Sequence, residues 1–364
     1  MKTRKNYVYS CSIAKKIQST GILKRKHERF AELGILMTKS SLITRRTLLA
    51  SMGASALFPY ARILSAAENK MRGALMILST PYTSDDQVDY EDLAKEVVFC
   101  AQCGVQGVVW PQNSSEQRYL SREERIKGFE VIAEASSGTG MSVVFGVQAD
   151  DTQGMLDYAE FAESLNPDGM IAIPPTSASS LTEIRDYYRA LCDVTDKPIF
   201  VQTSGGPDIE LTIDFLVDLA TELPQCGYIK EEYGRVHERM LALQNYQPDP
   251  IRSIFGATLG RGWLYEMRIG TDGVMTGGAM YADVYAKLWD FYQKGDEASL
   301  SDCYSKLLLI QNLDNLIPGV RLWIMQKRGV FKTTKSRRGV YSFSPMQIAE
   351  IEYRYSALKP YLIA

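Results

Sequence analysis

One lysine of the chain stands where a short apolar run ends. In the segment CGYIKEEYG, residues 226–234, Lys230 closes the run and precedes Glu231 and Glu232. A buried lysine is costly while it is charged, so we expect burial to move its pKa toward neutrality. A neutral amine attacks a ketone to form a Schiff base, and the protonated imine withdraws electrons from the adjacent carbon. The alternative is a plain salt bridge between Lys230 and one of the two glutamates at the rim of the fold.

The sequence argues against several other chemistries. It contains only two histidines, His27 and His237, and His27 lies near the amino terminus. One remaining histidine, on a helical pattern, cannot build a His-rich zinc site or a triad at a strand end. No G-x-x-x-x-G-K-[ST] pattern occurs, and GATLGRG is not at the first strand–helix turn, where a dinucleotide fingerprint belongs. We therefore predict no metal and no cofactor, although a later loop could still hold a phosphate.

Charge separates an amino-terminal leader from the rest of the chain. The 364 residues carry a net charge of -2, which argues against nucleic-acid binding. Residues 1–30 nevertheless hold nine Lys and Arg against one acidic residue, Glu28. Further on, the pair Arg45 and Arg46 precedes a mildly apolar stretch at 48–57 and small residues at 65–67. This order resembles a twin-arginine signal, and the apolar stretch is shorter than the ~20 residues that span a bilayer.

We accordingly predict that residues 1–67 are a targeting leader, removed on export to the periplasm. No stable membrane insertion is expected after processing. Two alternatives are a disordered basic tail and a cytoplasmic location. Met37 competes with Met1 as the start of translation, because 36 residues are a long extension before such a signal.

The elements around Lys230 follow an alternating pattern. Between Gly73 and Gly278, eight short apolar or β-branched runs are separated by seven segments of helical periodicity. The units average about 26 residues, as in a (β/α)8 barrel, with a doubly wound sheet as the alternative. After residue 280 the pattern is helical, without strands. We predict an α/β fold, a TIM barrel over residues 68–280 followed by a helical region over 281–364.

Several motifs, in order, resemble those of the dihydrodipicolinate synthase and N-acetylneuraminate lyase family of class I Schiff-base aldolases. The resemblance covers about residues 73–278 and is carried by STPYTSDDQVDYEDL, GVQGVVWPQNSSEQRYLSREER, IPPT, KPIFVQT and GYIKEEYG. It implies that Lys230 forms the imine. It also implies that the loop QNSSE, residues 112–116, binds the carboxylate of a 2-keto acid, and that the protein is a dimer or tetramer.

Departures from the family pattern bear on the reaction. The tyrosine that relays protons in the family falls on Gln202, and an amide cannot ionise as a phenol does. A second family tyrosine falls on Ser177, and QTSGGPD lacks the arginine used in dihydrodipicolinate synthesis. That particular activity is therefore disfavoured. A proton relay would have to come from Ser114, Thr203, Tyr233 or a substrate-bound water.

Together these observations predict a Schiff-base-forming lyase that acts on a pyruvate-like or sugar-derived 2-keto acid, with Lys230 as the catalytic residue. The alternative is a catalytically degenerate barrel that binds a small keto acid or sugar acid without turnover. The predicted substrate-binding residues are Asn113, Ser114, Ser115, Gln202, Thr203 and Thr276.

Overall fold

A computed structural model describes residues 71–363 of the chain. The leader predicted over residues 1–67, with its arginine pair and the choice of start codon, lies outside this range. None of the helices between residues 71 and 363 has the length and apolar character needed to cross a membrane.

Eight parallel strands close into a barrel in sequence order, and the last strand pairs with the first. The barrel predicted from the alternating pattern is therefore confirmed, and the open doubly wound sheet is excluded. The strands are β1 Gly73–Ile77, β2 Gly107–Trp110, β3 Ser142–Gly146, β4 Gly169–Ala172, β5 Ile199–Gln202, β6 Tyr228–Lys230, β7 Ser253–Gly256 and β8 Gly273–Thr276.

Seven helices follow the first seven strands, as the pattern predicted. They are α1 Tyr90–Cys103, α2 Arg122–Ser136, α3 Thr152–Ser164, α4 Leu181–Cys192, α5 Ile213–Glu222, α6 Val236–Gln244 and α7 Trp263–Arg268. The helical region after β8 contains α8 Ala282–Lys294, α9 Glu297–Gln311, α10 Val320–Lys327 and α11 Pro345–Ser356. All four lie in the region for which the sequence pattern predicted helices.

Side chains alternate across the barrel wall, with a period of two along each strand. Phe200 and Phe255 belong to an apolar cluster inside the barrel, while neighbours such as Val201 and Ile254 pack outward against the helices. Tyr228 of β6 packs against the inner cluster. Lys230 lies two residues further along β6, so it points to the same side.

The chain after α10 folds back across the loops at the carboxyl ends of the strands. Lys332 Nζ lies 2.9 Å from Asp89 Oδ2, and Ser336 Oγ donates to Glu116 Oε1 at 2.7 Å. These contacts tie the helical region to the side of the barrel where active sites lie in this fold.

Candidate active site

A cavity of about 260 Å³ opens at the carboxyl ends of the strands. Ile77 of β1 and Met275 of β8 are its apolar members from the barrel interior. Its polar lining residues come from five loops and from the helical region, and they are Gln112, Asn113, Ser114, Gln202, Ser204, Lys230, Glu232, Thr258, Arg261, Thr276, Asn315 and Arg321. The volume and the many polar groups suit a small polar metabolite.

Lys230 is buried in this cavity, with 3% of its surface exposed. Gln202 is its partner in the β5–β6 register, and Lys230 Nζ donates to Gln202 Oε1 at 3.1 Å. The same nitrogen lies 3.0 Å from Glu232 Oε2. The amine of Lys230 therefore lies inside the barrel and is also ion-paired, so the geometry is compatible with either interpretation of this lysine. The pair supplies the countercharge that a buried ammonium requires.

The two glutamates after β6 have different surroundings. Glu231 is fully buried behind the cavity, where its carboxylate accepts from Thr203 Oγ1 and Tyr233 N at 2.8 Å each and lies 3.1 Å from Arg239 Nε. Glu232 lines the cavity, and 19% of its side chain is exposed. Glu231 therefore fixes the loop after β6, whereas Glu232 faces the space where a substrate would lie.

The loop after β2 is anchored through Ser115. Its hydroxyl donates to Leu78 O at 2.5 Å and accepts from Gln112 N at 3.1 Å, and its carbonyl accepts from Thr80 Oγ1 at 2.5 Å. Ser115 thus lies behind the cavity and holds the loop against β1. Its neighbour Ser114 lines the cavity, and its hydroxyl makes no hydrogen bond with any residue in the 71–363 range.

The hydroxyl groups of Thr203 and Thr276 also form hydrogen bonds within the protein. Thr203 Oγ1 accepts from Glu232 N at 2.8 Å while it donates to Glu231, and it does not line the cavity. Thr276 does line the cavity, and its hydroxyl accepts from Leu259 N at 2.8 Å. The predicted residues that line the cavity are Asn113, Ser114, Gln202, Lys230 and Thr276, whereas Ser115 and Thr203 support it from behind.

The helical region shapes the loop after β7. Thr258 and Leu259 both adopt left-handed backbone conformations, with φ of 50° and 57°, which cost about 1 kcal/mol or more each for residues with a Cβ. Leu259 O accepts from Tyr285 OH of α8 at 2.7 Å and from Gln311 Nε2 of α9 at 2.6 Å. These buried hydrogen bonds stabilise the strained loop that carries Arg261.

Sequence reasoning missed three charged residues of the cavity as site residues, namely Glu232, Arg261 and Arg321. For Glu232 a signal was present, since a period of two places it on the same side as Lys230. Arg321 lies on α10, whose start is marked by Pro318 and Gly319. In residues 71–363, no group of three or more His, Cys, Asp or Glu side chains could hold a metal ion.

Both arginines approach Asp314, a carboxylate whose side chain is 5% exposed. Arg321 Nε donates to Asp314 Oδ1 at 3.3 Å, and Arg261 Nη2 lies 3.9 Å from Asp314 Oδ2. Burial raises the pKa of Asp314, and the nearby Arg321 and Arg261 oppose that rise. The cavity therefore combines the Lys230–Glu232 pair with two arginines that share one carboxylate.

Comparisons with known proteins agree with this architecture. The sequence profile of the Dihydrodipicolinate synthetase family matches residues 70–353. An L-2-keto-3-deoxyarabonate dehydratase of Azospirillum brasilense is 22% identical over 79% of this chain and 94% of its own length. A 4-hydroxy-tetrahydrodipicolinate synthase of Methanosarcina mazei is 26% identical, but the alignment covers 49% of this chain and 60% of the synthase.

Solved structures share the fold. Dihydrodipicolinate synthase from Rhodopseudomonas palustris superposes with a TM-score of 0.72 at 22% identity, covering 80% of this chain and 98% of that chain. N-acetylneuraminate lyase of Proteus mirabilis gives a TM-score of 0.69 at 19% identity, covering 80% of this chain and 100% of the lyase. At these identities the structural similarity establishes the fold alone. The family profile extends over most of the chain, so the protein belongs to the dihydrodipicolinate synthetase family, whose members are lyases of the aldolase and dehydratase type.

Proposed function

We propose that the protein is a Schiff-base-forming lyase that acts on a 2-keto acid through Lys230. One observation carries the proposal: a single buried lysine lies in the cavity at the strand ends, with Gln202 Oε1 at 3.1 Å and Glu232 Oε2 at 3.0 Å from its nitrogen. A lysine held this way can pass a proton to Glu232 and attack as the free amine.

The chemistry begins at the C2 carbonyl of the keto acid. The amine of Lys230 forms a bond to C2, the carbonyl oxygen takes up two protons and leaves as water, and a protonated imine remains. The imine then accepts an electron pair, either from the C3–H bond or from the C3–C4 bond. If the pair comes from the C3–H bond and the C4 hydroxyl then leaves as water, the reaction is a dehydration. If the pair comes from the C3–C4 bond and the C4 hydroxyl loses its proton, the reaction is an aldol cleavage that releases an aldehyde.

We assign the proton transfers to Glu232. Gln202 occupies the position of the family tyrosine, and its amide oxygen can accept a hydrogen bond but its side chain cannot exchange a proton at neutral pH. Thr203 is committed to Glu231 and to the backbone of Glu232. Glu232 is an ionisable group within hydrogen-bond reach of the reacting nitrogen, as a general acid and base must be.

The substrate class follows from the chemistry and from the relatives. The dehydratase relative is named for a 3-deoxy-2-keto sugar acid and aligns over nearly its whole length, which supports a substrate of that kind. Synthesis of 4-hydroxy-tetrahydrodipicolinate is a weaker candidate, because the segment 203–208 after β5 contains no arginine.

A trapping experiment tests the proposal. The mature protein is incubated with pyruvate, borohydride is added, and peptides are analysed for the mass of the reduced adduct. We expect the adduct on Lys230, and none on the Lys230→Arg variant, whose guanidinium stays charged and is not nucleophilic. Absence of an adduct with pyruvate and with longer 2-keto acids would refute the lyase proposal.

A second candidate, binding without turnover, is favoured by the replacement of the relay tyrosine by Gln202. The two candidates differ in one result. A lyase consumes at least one member of a panel of 3-deoxy-2-keto sugar acids, with pyruvate or a dehydrated keto acid as the product. A binding protein forms the adduct but leaves the whole panel unchanged.

A further inference from the structure

The guanidinium group of Arg321 reaches the candidate active site from outside the barrel. Arg321 lies at the start of α10, in the helical region, yet it lines the same cavity as Lys230 and Ser114. Its Nη1 lies 3.5 Å from Gly277 O. A Cβ on Gly277 would come within 2.5 Å of Ser114 Oγ, so the close approach of these loops requires glycine there.

Arg321 has spare hydrogen-bonding capacity. A guanidinium carries five N–H donors, and within residues 71–363 Arg321 uses them only on Asp314 Oδ1 at 3.3 Å and Gly277 O at 3.5 Å, both long. Arg328, only seven residues further on, donates to both oxygens of Asp283, at 3.0 and 2.6 Å, and to Met280 O at 2.9 Å. Unlike Arg328, Arg321 is not saturated by the protein.

The charges of the cavity are also unbalanced. Lys230 is paired with Glu232 at 3.0 Å. Arg261 and Arg321 share the single carboxylate of Asp314, at 3.9 and 3.3 Å. Three cations thus face two carboxylates, and one positive charge has no counterion among these groups. A partly desolvated site with such an excess favours an anion.

The family resemblance implies that the loop of Ser114 binds the C1 carboxylate of the 2-keto acid. We propose that Arg321 is a further ligand of this carboxylate and makes the site selective for keto acids over neutral ketones. This inference rests on the proposed function, since it names the group that recognises the substrate at the same site. A planar guanidinium matches a carboxylate through two parallel hydrogen bonds, and the free hydroxyl of Ser114 adds a third donor. The helical region thereby supplies a substrate-binding residue that the barrel alone lacks.

Pyruvate and pyruvamide test the proposal. Pyruvamide is nearly isosteric with pyruvate but carries no charge, and borohydride trapping measures the imine formed with each at a series of concentrations. We expect the wild-type protein to form the imine at about 10- to 100-fold lower concentrations of pyruvate than of pyruvamide, as the loss of charged hydrogen bonds predicts. In Arg321→Ala this preference is expected to disappear while trapping of pyruvamide at Lys230 persists, which also shows that the variant is folded. Arg321→Lys is expected to show part of the wild-type preference for pyruvate over pyruvamide.

Arg338→Ala is the matched control. Arg338 comes from the same helical region and its Nη2 donates to Asn113 O, in the loop that contains Ser114, but it does not line the cavity of Lys230. We expect its preference for pyruvate to equal that of the wild type. Equal trapping of the two ketones by the wild type, or an equal loss of preference in both alanine variants, would overturn the role of Arg321 while leaving the lyase proposal intact. No adduct with either ketone would instead refute the proposed function itself.

Discussion

The adjacent residues Glu231 and Glu232 allow a test in which one substitution affects the fold and the other affects the chemistry. We consider Glu231→Gln and Glu232→Gln, which each remove one negative charge and keep the shape of the side chain. The structure places the first carboxylate in a buried network and the second in the cavity. The two variants therefore serve as controls for each other.

The expected cost of Glu231→Gln can be worked out from its contacts. The glutamine oxygen can still accept from Thr203 Oγ1 and Tyr233 N, so the loss falls on the 3.1 Å pair with Arg239. Arg239 keeps Glu210 at 2.9 Å and Leu211 O at 2.6 Å. We expect the free energy of unfolding to fall by about 2–3 kcal/mol, a decrease in Tm of about 4–6 °C for a body of this size.

Glu232→Gln is expected to behave in the opposite way. The side chain of Glu232 is partly open to solvent, so its substitution should cost less than that of the fully buried Glu231, about 1–2 kcal/mol, mainly because Lys230 loses its countercharge. The loss of a general acid and base should slow proton transfer by about 10²- to 10⁴-fold. Imine formation should also become slower without Glu232, but a long incubation with pyruvate before borohydride is added should still yield the adduct on Lys230.

Exchange of the methyl protons of pyruvate for deuterium, followed by proton NMR in D₂O, measures the transfer without knowledge of the natural substrate. The exchange requires the imine to lose and regain a proton at C3. We expect it to be rapid in the wild type, close to wild type per folded molecule in Glu231→Gln, and nearly absent in Glu232→Gln. Normal exchange in Glu232→Gln together with lost exchange in folded Glu231→Gln would refute this division of roles.

Three further predictions follow from the same contacts. Lys230→Ala should lose the borohydride adduct and remain folded, with a Tm no more than about 6 °C below that of the wild type, because the variant leaves the partly exposed Glu232 without its partner; unfolding of this variant would indicate a structural lysine. Burial raises the pKa of Glu96 well above its usual value. The folded state therefore retains a proton that the unfolded chain releases above about pH 4.3. Stability should decrease as pH rises above that value, by at most ~1.4 kcal/mol per pH unit. Glu96→Gln, which can still accept from Ser79 N, should flatten that dependence in chemical denaturation, and an unchanged slope would contradict the assignment. Gln311→Leu should release the strained loop after β7 and raise KM for the keto acid, and an unchanged KM would count against a role of α9 in shaping the site.

The barrel could be predicted because its pattern is local. Each strand is a short apolar run bounded by turn residues, and each helix carries its own signals, such as the capping pair Ser121 and Glu124, which both form their reciprocal hydrogen bonds. Lys230 could be found for the same reason, since a strand end in a barrel is a place that sequence alone can identify. The loop after β2 was located correctly, but Ser115 proved to be an anchor because its hydroxyl turns back to Leu78 O.

The rest of the site depends on contacts between segments far apart in the chain. Arg321 is brought to the cavity by the packing of α10 against the barrel, 91 residues after Lys230 in the sequence. The sequence pattern of α10 does not indicate which part of the barrel its first turn will contact. Similarly, Gln311 and Tyr285 support Leu259 O through long-range hydrogen bonds that leave no local pattern.

The central claim is that Lys230 displaces the carbonyl oxygen of a 2-keto acid. The most direct measurement uses pyruvate labelled with ¹⁸O at C2, and follows the loss of label to water by mass spectrometry. Every cycle of imine formation and hydrolysis replaces this oxygen with one from water, so the account predicts loss that is much faster with the wild-type protein than with Lys230→Arg or with buffer alone. Loss at the same rate in all three samples would contradict the account.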